Sequence, residues 1–333
     1  MIRTFWVFSI FIQFLGVWGG TIFSSQAQAQ ERCEQALQSG IAVLRSKAPP
    51  EVIQAHPQYI ESFRRGFYQE AAMELYKARE STQALLLEQW MEAEMSQEKL
   101  LYVRKAQSGK ASNAYEVRFE GGLKAFLKLD QAHSKAQNLK HLVNHWSEVS
   151  SYKLDRLVGL HAVPVTVARH LTKEELTRLG LEHEDSVWVS IQAALESVAV
   201  TESSQQDEGA LKIFDYLQGN IDRNIKTGHN LIKQKHFLGA IDNGAAFRLS
   251  EAHEAELLQH RQYLVREPET YALLHSISVL PPHQIVAVLS EYLSEEQIQG
   301  VLRRQRELGQ FYKEGSFPSN FVERWARLLQ LQF

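Results

Sequence analysis

The chain has 333 residues, of which 44% are hydrophobic and 23% charged, values typical of a globular protein large enough for two lobes or two domains. The formal net charge is −3, from 36 basic and 39 acidic side chains, so composition gives no reason to expect nucleic acid or an anionic membrane as a partner. The single cysteine, Cys33, cannot form a disulfide within the chain, and the fold must therefore rest on its hydrophobic core.

The first thirty residues have the pattern of a targeting segment. Arg3 supplies a short positive start, residues 5–23 are almost wholly apolar, and Ala27-Gln28-Ala29 is typical of a cleavage site. We expect residues 1–29 to be a signal peptide and the mature protein to be exported, either to a periplasm or out of the cell. The apolar run is long for a signal peptide, so an uncleaved signal anchor is the alternative. Only then would the protein be held at a membrane.

Residues 30–98 are predicted to form a helical extension. Leu37 and Ile41 share one face at helical spacing, and Pro49-Pro50 ends that helix because neither residue can donate a backbone hydrogen bond. Helix-forming residues then predominate over residues 59–95. We interpret the extension as a helical layer packed on the rest of the chain, with a separate partner-binding module as the alternative.

The residues after Leu100 alternate between apolar and polar in the way of β-strands. Two strands flank a turn at Ser108-Gly109-Lys110, a third carries Lys124 and Lys128, and two more follow a helix that ends at Gly159. The predicted strands are 101–103, 115–119, 123–129, 163–168 and 187–191, and the predicted helix covers about 132–158. This order predicts an antiparallel sheet with one inserted helix.

From about Gly209 the pattern is mostly helical to the end of the chain, interrupted by a short strand at 237–241. We expect Arg303, Arg304 and Arg306 to form one charged face of the last helix. The order of elements predicts an α+β fold of two lobes behind the helical extension. The expected boundaries are 99–333 for the catalytic domain, about 99–195 for its N-lobe and about 196–333 for its C-lobe.

Polar residues in the later part of the chain form the pattern that phosphoryl transfer requires. Asp222 lies in a polar loop, Asn224 and Asn230 follow it, and Asp242 ends an apolar strand just before Asn243-Gly244. In phosphoryl transfer one carboxylate orients the attacking hydroxyl or accepts its proton. An amide and a second carboxylate hold the metal ion that neutralises the phosphates.

A kinase also needs a lysine on a strand, which binds the α- and β-phosphates, and a glutamate on a helix, which holds that lysine. Both occur upstream in the right order, with Lys128 on the third predicted strand and Glu148 on the helix that follows. Lys124 shares the strand face of Lys128 but lies nearer the turn, which makes it the poorer candidate.

Taken together, these segments resemble a known family. The chain is similar to the secretory-pathway kinases, the group of the Golgi casein kinase and Four-jointed, and more distantly to the HipA-type and phosphoinositide-type kinases. The segments that carry the resemblance are Gly121 to Lys128, Glu148 to Leu160, Val163-Pro164, Phe214 to Arg223, and Ile241 to Gly244. The resemblance covers about residues 100–247 and implies a two-lobed, protein-kinase-like fold. The lack of disulfides would fit a bacterial member.

The resemblance implies that the cofactor is ATP. Lys128 would bind the nucleotide phosphates, and Glu148 would pair with Lys128 or reach the metal. The family's glycine-rich loop is reduced here to Gly109, which would lie at the nucleotide between the first two strands. Gln192 would belong to the strand that leads to the adenine pocket.

The resemblance also implies the catalytic and metal-binding residues. Asp222 would be the catalytic aspartate, and Asp242 and Asn230 would be the metal ligands. Oxygen ligands suit both Mg and Mn, so the sequence predicts one of the two without separating them.

Departures from the family pattern leave alternatives open. Asn224 stands where these kinases often have His, and the glycine-rich loop is incomplete, so a nucleotide-binding pseudokinase that acts through partners is one alternative. Asp222 and Arg223 can also be interpreted as a structural ion pair. His141 and His145 have a spacing that can bind zinc, but no HExxH motif accompanies them, and a packed or solvated helix face is the simpler interpretation.

We therefore predict an exported kinase that transfers the γ-phosphate of ATP to a Ser/Thr hydroxyl of a protein. A glycan or a small molecule is the alternative acceptor, because acceptor choice depends on the shape of the pocket. No nucleic-acid partner is expected.

Overall fold

A computed structural model describes Val52, Gln58 and residues 60–78, 80–106, 114–129, 145–181, 185–196, 205–220, 222–223, 230–233, 237–247 and 268–314. Its helices are α1 (Ile60–Arg65), α2 (Gln69–Lys77), α3 (Ser81–Gln97), α4 (His145–Val158), α5 (Lys173–Arg178), α6 (Gln205–Gln218), α7 (Pro268–Val279), α8 (Pro282–Leu289) and α9 (Glu295–Glu314). Its strands are β1 (Leu100–Lys105), β2 (Ala114–Phe119), β3 (Lys124–Leu129), β4 (Thr166–Leu171), β5 (Val187–Ala193), β6 (Leu231–Lys233) and β7 (Leu238–Ala240). The predicted signal peptide, Cys33, Gly109, His141 and Asn224 lie outside the described residues.

The larger sheet has five antiparallel strands in the order β1-β2-β3-β5-β4. Helix α4 enters the chain between β3 and β4, so the predicted antiparallel sheet with one inserted helix is confirmed. On β3, Lys128 lies opposite Ala114 of β2 and Ser190 of β5, and directly opposed residues share a face of the sheet. The central strand therefore presents Lys128 on one face and buries Leu127 on the other.

In the described part of the extension, three helices precede the sheet. Helix α1 stops at Gly66, whose φ of +88° is in the left-handed region, and a Cβ there would meet the carbonyl oxygen of Gly122 at 2.7 Å. Most apolar residues of α2 and α3 are buried, among them Leu75, Leu87 and Trp90, whereas Leu85 is exposed. The extension therefore packs as a layer on the rest of the molecule.

One hydrogen bond from the extension explains where β4 begins. The side-chain oxygen of Gln69 in α2 accepts the backbone N–H of Val165 at 2.8 Å. Pro164 has no N–H to donate to a neighbouring strand. The strand predicted at 163–168 consequently starts three residues later, at Thr166, and runs to Leu171.

The helix α5 was not predicted, although its start carries a local signature. Thr172 accepts the backbone N–H of Glu175, and the side chain of Glu175 accepts the backbone N–H of Thr172, which together form a capping box. The pattern Thr-x-x-Glu in the sequence would have indicated a helix start here.

Residues 268–314 form α7, α8 and α9, and both α7 and α9 pack on α6. The expectation that Arg304 faces solvent is wrong, because the residue is only 2% exposed and its Nε donates to the carbonyl oxygen of Leu217 at 2.9 Å. It lies against Gly219, where the α6 helix ends. Arg304 thus satisfies a backbone carbonyl at the end of a buried helix.

Within the described ranges, no single helix has the length and apolar composition of a membrane span, and one bent pair, Thr270–Val279 with Pro282–Leu289 at 91°, meets these criteria only when taken together.

Candidate active site

The centre of the site is the ammonium group of Lys128. It lies 2.5 Å from Oε1 of Glu148 and 2.9 Å from Oδ1 of Asp242, residues that are 20 and 114 positions away in the sequence. Burial by itself would lower the pKa of Lys128, but the charges of Glu148 and Asp242 outweigh it and raise the pKa above its ordinary value. The folded protein therefore holds a charged lysine between two carboxylates drawn from a helix and a distant loop.

Glu148 is held in the first turn of α4 and is 1% exposed. Its second oxygen, Oε2, accepts the backbone N–H of Asn243 at 2.9 Å. The same carboxylate therefore binds Lys128 on the sheet and the backbone that directly follows Asp242. Any displacement of α4 would disturb both contacts together.

Asp242 follows β7 and has a φ of +54°, in the left-handed region that Asp enters more readily than most residues. Its side chain is 38% exposed, so the carboxylate contacts Lys128 and still reaches solvent. Burial acts to raise the pKa of Asp242, but the charge of Lys128 and its hydrogen bond outweigh burial and lower the pKa. Asp242 is therefore an ionised carboxylate at neutral pH.

Asp222 and Asn230 lie together beside this centre. The Nδ2 group of Asn230 donates to the carbonyl oxygen of Asp222 at 2.9 Å and to its Oδ2 at 3.2 Å. The carbonyl oxygen of Asn230 accepts the N–H of Ile241 at 3.1 Å, one residue before Asp242. The eight-residue spacing from Asp222 to Asn230 therefore still brings these two residues to the Asp242 loop, and Asp222 itself is exposed.

Sequence reasoning missed the part played by Arg223, whose side chain is fully buried. Its Nε lies 3.0 Å from both carboxylate oxygens of Asp215 on α6. The ion-pair partner of Arg223 is therefore Asp215, and not Asp222 as the alternative interpretation of the sequence had it. Its Nη1 donates to the carbonyl oxygens of Asn230 at 2.5 Å and Ile241 at 3.0 Å.

The third nitrogen of Arg223, Nη2, donates to the side-chain oxygen of Asn243. One guanidinium group therefore ties the Asp222 loop, the Asn230 turn and the Asp242 loop to helix α6. The segment from Phe214 to Arg223 resembles the kinase family as a whole, but no local pattern indicates which atoms this arginine binds.

Two other predicted residues have partners of their own. Gln192 is 5% exposed, and its Nε2 donates to Oγ1 of Thr166 on the neighbouring strand β4 at 3.0 Å. Its amide is therefore hydrogen-bonded within the sheet, and its role at the nucleotide stays a prediction. Lys124 pairs with Glu116 at 3.1 Å and lies 4.8 Å from the ring centroid of Phe67, which leaves Lys128 as the lysine at the site.

The donor atoms near Asp242 suit a hard divalent cation. Among the residues that the structure describes, no group of three or more His, Cys, Asp or Glu side chains is arranged to bind a metal. The predicted ligands are the ionised carboxylate of Asp242 and the amide oxygen of Asn230, whose Nδ2 donates to Asp222. Mg and Mn accept such oxygens and complete their coordination with phosphate and water, so the residues present fit the predicted cofactor.

Comparison with known proteins gives matches in structure alone. No family model matches the sequence, and no curated protein is detectably similar to it. The crystal structure of the Golgi casein kinase superposes with a TM-score of 0.51 at 16% identity, covering 68% of this chain and 74% of that one. The structure of hydra Fam20 with sugar gives a TM-score of 0.51 at 14% identity, covering 71% and 91%.

A second Golgi casein kinase structure, with Mn and ADP bound, gives a TM-score of 0.49 at 16% identity, covering 69% of this chain and 77% of that one. The two higher matches confirm the predicted α+β, kinase-like fold. Identities this low show the fold and not the activity. The predicted resemblance to HipA-type kinases and the predicted bacterial origin stay predictions.

Proposed function

We propose that the chain is a kinase that transfers the γ-phosphate of ATP to a hydroxyl group, with Mg or Mn as the metal cofactor. The observation that carries this proposal is the ammonium of Lys128, which lies between Glu148 and Asp242. Phosphoryl transfer requires a fixed lysine for the phosphates beside a carboxylate that binds metal. The likeness of the fold to the Golgi casein kinase supports the same assignment.

Each residue has a separate task in this proposal. Lys128 binds the nucleotide phosphates, and Glu148 keeps the ammonium charged and directed at them. Asp222, which is exposed and hydrogen-bonded by Asn230, orients the attacking hydroxyl and accepts its proton. Asp242 and Asn230 hold the metal ion, which when bound neutralises charge on the phosphates.

Arg223 contributes by fixing the relative positions of the loops. Because its nitrogens bind Asp215, Asn230 and Asn243, the acceptor side of the site and the metal side cannot move independently. Catalysis by positioning depends on such rigidity, since small displacements of reacting groups reduce the rate strongly.

For the acceptor we propose a Ser/Thr hydroxyl of a protein. The exposed position of Asp222 supports a macromolecular acceptor, because a large substrate can reach a carboxylate at the surface. A glycan hydroxyl is the second candidate, and it is favoured by the match to hydra Fam20, whose structure contains a sugar.

We also propose that the mature protein begins after Ala29 and acts outside the cytoplasm, as residues 1–29 predict. The segment lies outside the described residues, so this proposal rests on the sequence pattern. Mass determination of the protein recovered from an exporting host would test it. A mass that matches the chain from Gln30 onward would support cleavage after Ala29, and the mass of the full chain would overturn this proposal.

The central test is phosphate transfer by the protein from Gln30 onward, given labelled ATP and Mg or Mn with a protein acceptor or a glycan acceptor. We expect transfer to fall by at least about 10²-fold in Asp222→Asn and in Asp242→Asn. Asp185→Asn is the matched control, because Asp185 is an exposed aspartate just before β5 with no proposed role in the reaction, and it should retain full activity.

The outcomes separate the alternatives. Metal-dependent nucleotide binding that is lost in Asp242→Asn, but without turnover on either acceptor, would favour a pseudokinase. A folded protein that neither binds nor hydrolyses ATP would overturn the proposed function.

A further inference from the structure

Helix α3 of the extension contacts the helix that carries Glu148. Two glutamates of α3, Glu88 and Glu92, are one turn apart and share a face. They meet three side chains of α4, which are Tyr152, Lys153 and Arg156. Two helices that are about 60 residues apart in the sequence are thereby joined by a row of charge-assisted hydrogen bonds.

The inner contact is formed by Glu88 and Arg156. Oε1 and Oε2 of Glu88 accept from Nε of Arg156 at 2.9 and 3.0 Å, and Oε1 also accepts from Nη2 at 2.6 Å. The Glu88 side chain is 2% exposed and the Arg156 side chain 14%. The hydroxyl of Tyr76 on α2 donates to Glu88 at 2.9 Å, so a second helix of the extension holds the carboxylate in place.

The outer contact is formed by Glu92. Its Oε1 accepts from the hydroxyl of Tyr152 at 2.8 Å and from the ammonium of Lys153 at 2.9 Å. The side chains of Glu92 and Lys153 are each 33% exposed. This contact is open enough to be altered without placing an unpaired charge in the core.

The row of contacts leads directly to Glu148. Glu148, Tyr152 and Arg156 follow one another at intervals of four residues, so they lie along one stripe of α4. A helix moves largely as a rigid element. Fixing Tyr152 and Arg156 therefore fixes the position from which Glu148 reaches Lys128 and the N–H of Asn243.

We propose that Glu88 and Glu92 are positioning residues for the active site, through which the extension holds α4 where Glu148 can bind both Lys128 and Asn243. Neither residue touches the nucleotide or the acceptor. The catalytic part of this inference rests on the proposed kinase function, but the structural part does not. In this arrangement the chain supplies from its own extension the support that keeps the site helix in place.

The test uses charge reversal at the exposed contact. Glu92→Lys places two ammonium groups beside each other, Lys153→Glu places two carboxylates there, and the double variant restores an ion pair with its charges exchanged. Glu120→Lys is the matched control, because it makes the same change of charge at an exposed residue of the turn between β2 and β3.

Two measurements are made on each full-length mature variant. The first is the hydrogen exchange rate of the Asn243 amide, followed by NMR on labelled protein, because that N–H is donated to Glu148 and reports its position without any need for activity. The second is kcat/KM for ATP, separated into kcat and KM. Tyr152→Phe, which removes one hydrogen bond and retains the ring, is a milder variant that tests the same contact.

We expect each single charge reversal to speed hydrogen exchange at Asn243 by about tenfold and to lower kcat/KM for ATP by about tenfold. Tyr152→Phe should lie between the wild type and the single reversals in both measurements. The double variant should be close to the wild type. The inference is overturned if both single variants exchange and react like Glu120→Lys, or if the double variant recovers neither property. Exchange that follows this pattern in a protein without turnover would uphold the positioning and reject the kinase function.

Discussion

Helix α4 takes part in two clusters in which one cation lies between two carboxylates. We refer to them as the Lys128 centre and the Arg156 centre. The first consists of Lys128 with Glu148 and Asp242, and the second consists of Arg156 with Asp155 and Glu88. They lie two turns apart on the same helix and have the same number of charged groups. They differ in how far their carboxylates are closed to solvent by the rest of the fold.

In the Arg156 centre both carboxylates are essentially closed to solvent, with 0% exposure for Asp155 and 2% for Glu88. Asp155 Oδ1 also accepts the backbone N–H groups of Ala162 and Val163 at 3.0 and 3.3 Å. Burial raises the pKa of Asp155 to about 6, although the charge of Arg156 acts to lower it. This cluster is enclosed and holds a loop and two helices together.

In the Lys128 centre the carboxylate of Asp242 is 38% exposed, so the cluster opens to solvent on one side. A cation between two acids therefore indicates a functional site only where one of the acids remains accessible to a ligand. The enclosed cluster stabilises the fold and holds α4 in position, whereas the open one is the candidate for chemistry. Substitutions in the enclosed cluster should therefore reduce stability more than substitutions in the open one.

The largest effect is expected on stability, from Arg156→Met. The substitution leaves Glu88 and Asp155 as buried carboxylates without their cation, which should cost about 3–5 kcal/mol in the free energy of unfolding. Chemical denaturation measures it. Adding Glu88→Gln to the same chain should recover part of the loss, and a loss below about 1 kcal/mol in the single variant would show that the centre is not structural.

Lys128→Met should act mainly on catalysis. Removing the charge that we propose binds the phosphates is expected to lower kcat/KM about 10²–10³-fold. The free energy of unfolding should fall by less than in Arg156→Met, because only one enclosed carboxylate, Glu148, loses its cation, whereas Asp242 can turn its charge to solvent. Parallel assays of phosphate transfer and unfolding decide this, and a variant with more than a tenth of wild-type activity would contradict the role of Lys128.

A buried carboxylate of the extension gives a third, pH-dependent effect. Burial raises the pKa of Glu70 from 4.5 to about 7, although the N–H of Glu196 that it accepts acts in the opposite direction. The folded state therefore holds this proton more tightly than the unfolded chain. The stability associated with Glu70 is fully present below pH 4.5, falls as the pH rises to 7, and is constant above that pH.

Glu70→Gln keeps the hydrogen-bond acceptor and removes the titration. Relative to the wild type, the variant should gain up to about 3 kcal/mol of stability between pH 4.5 and 8. Unfolding curves of both proteins at several pH values measure the difference. A difference that does not change with pH would mean that Glu70 has an ordinary pKa.

The smallest effect is expected for Arg104→Ala. Arg104 pairs with Glu116 at 2.8 Å, but its side chain is 53% exposed, and exposed ion pairs contribute little to stability because water screens them. Denaturation in low and high salt should show a small loss that disappears as salt is added. A loss of stability as large as that of Arg156→Met would show that burial does not decide how much an ion pair contributes to the stability of this protein.

The residues of the Lys128 centre could be predicted because each lies in a local pattern with a known task. Lys128 is on an alternating strand, Glu148 is on the helix that follows, and Asp242 ends an apolar strand. The order of these patterns along the chain was sufficient to predict the kinase-like fold, which the structural matches confirm.

The Arg156 centre and the Arg223 contacts could not be predicted in the same way. Asp155 is the sequence neighbour of Arg156, but Glu88 is 68 residues away, and no spacing rule connects a helix of the extension to α4. Arg304 shows the same limit, since three arginines near one another in a helix predict a solvated face, whereas packing buries one of them.

The left-handed backbone at Asn230 and Asp242, with φ of +58° and +54°, also limits which substitutions evolution can accept at these two positions. Asparagine, aspartate and glycine adopt this conformation far more readily than other residues. The backbone itself therefore restricts the amino acids that are tolerated at these positions. A change of Asp242 to asparagine satisfies that restriction and removes the charge that we propose binds the metal. Such a substitution would remove the proposed chemistry in one step and leave the fold in place.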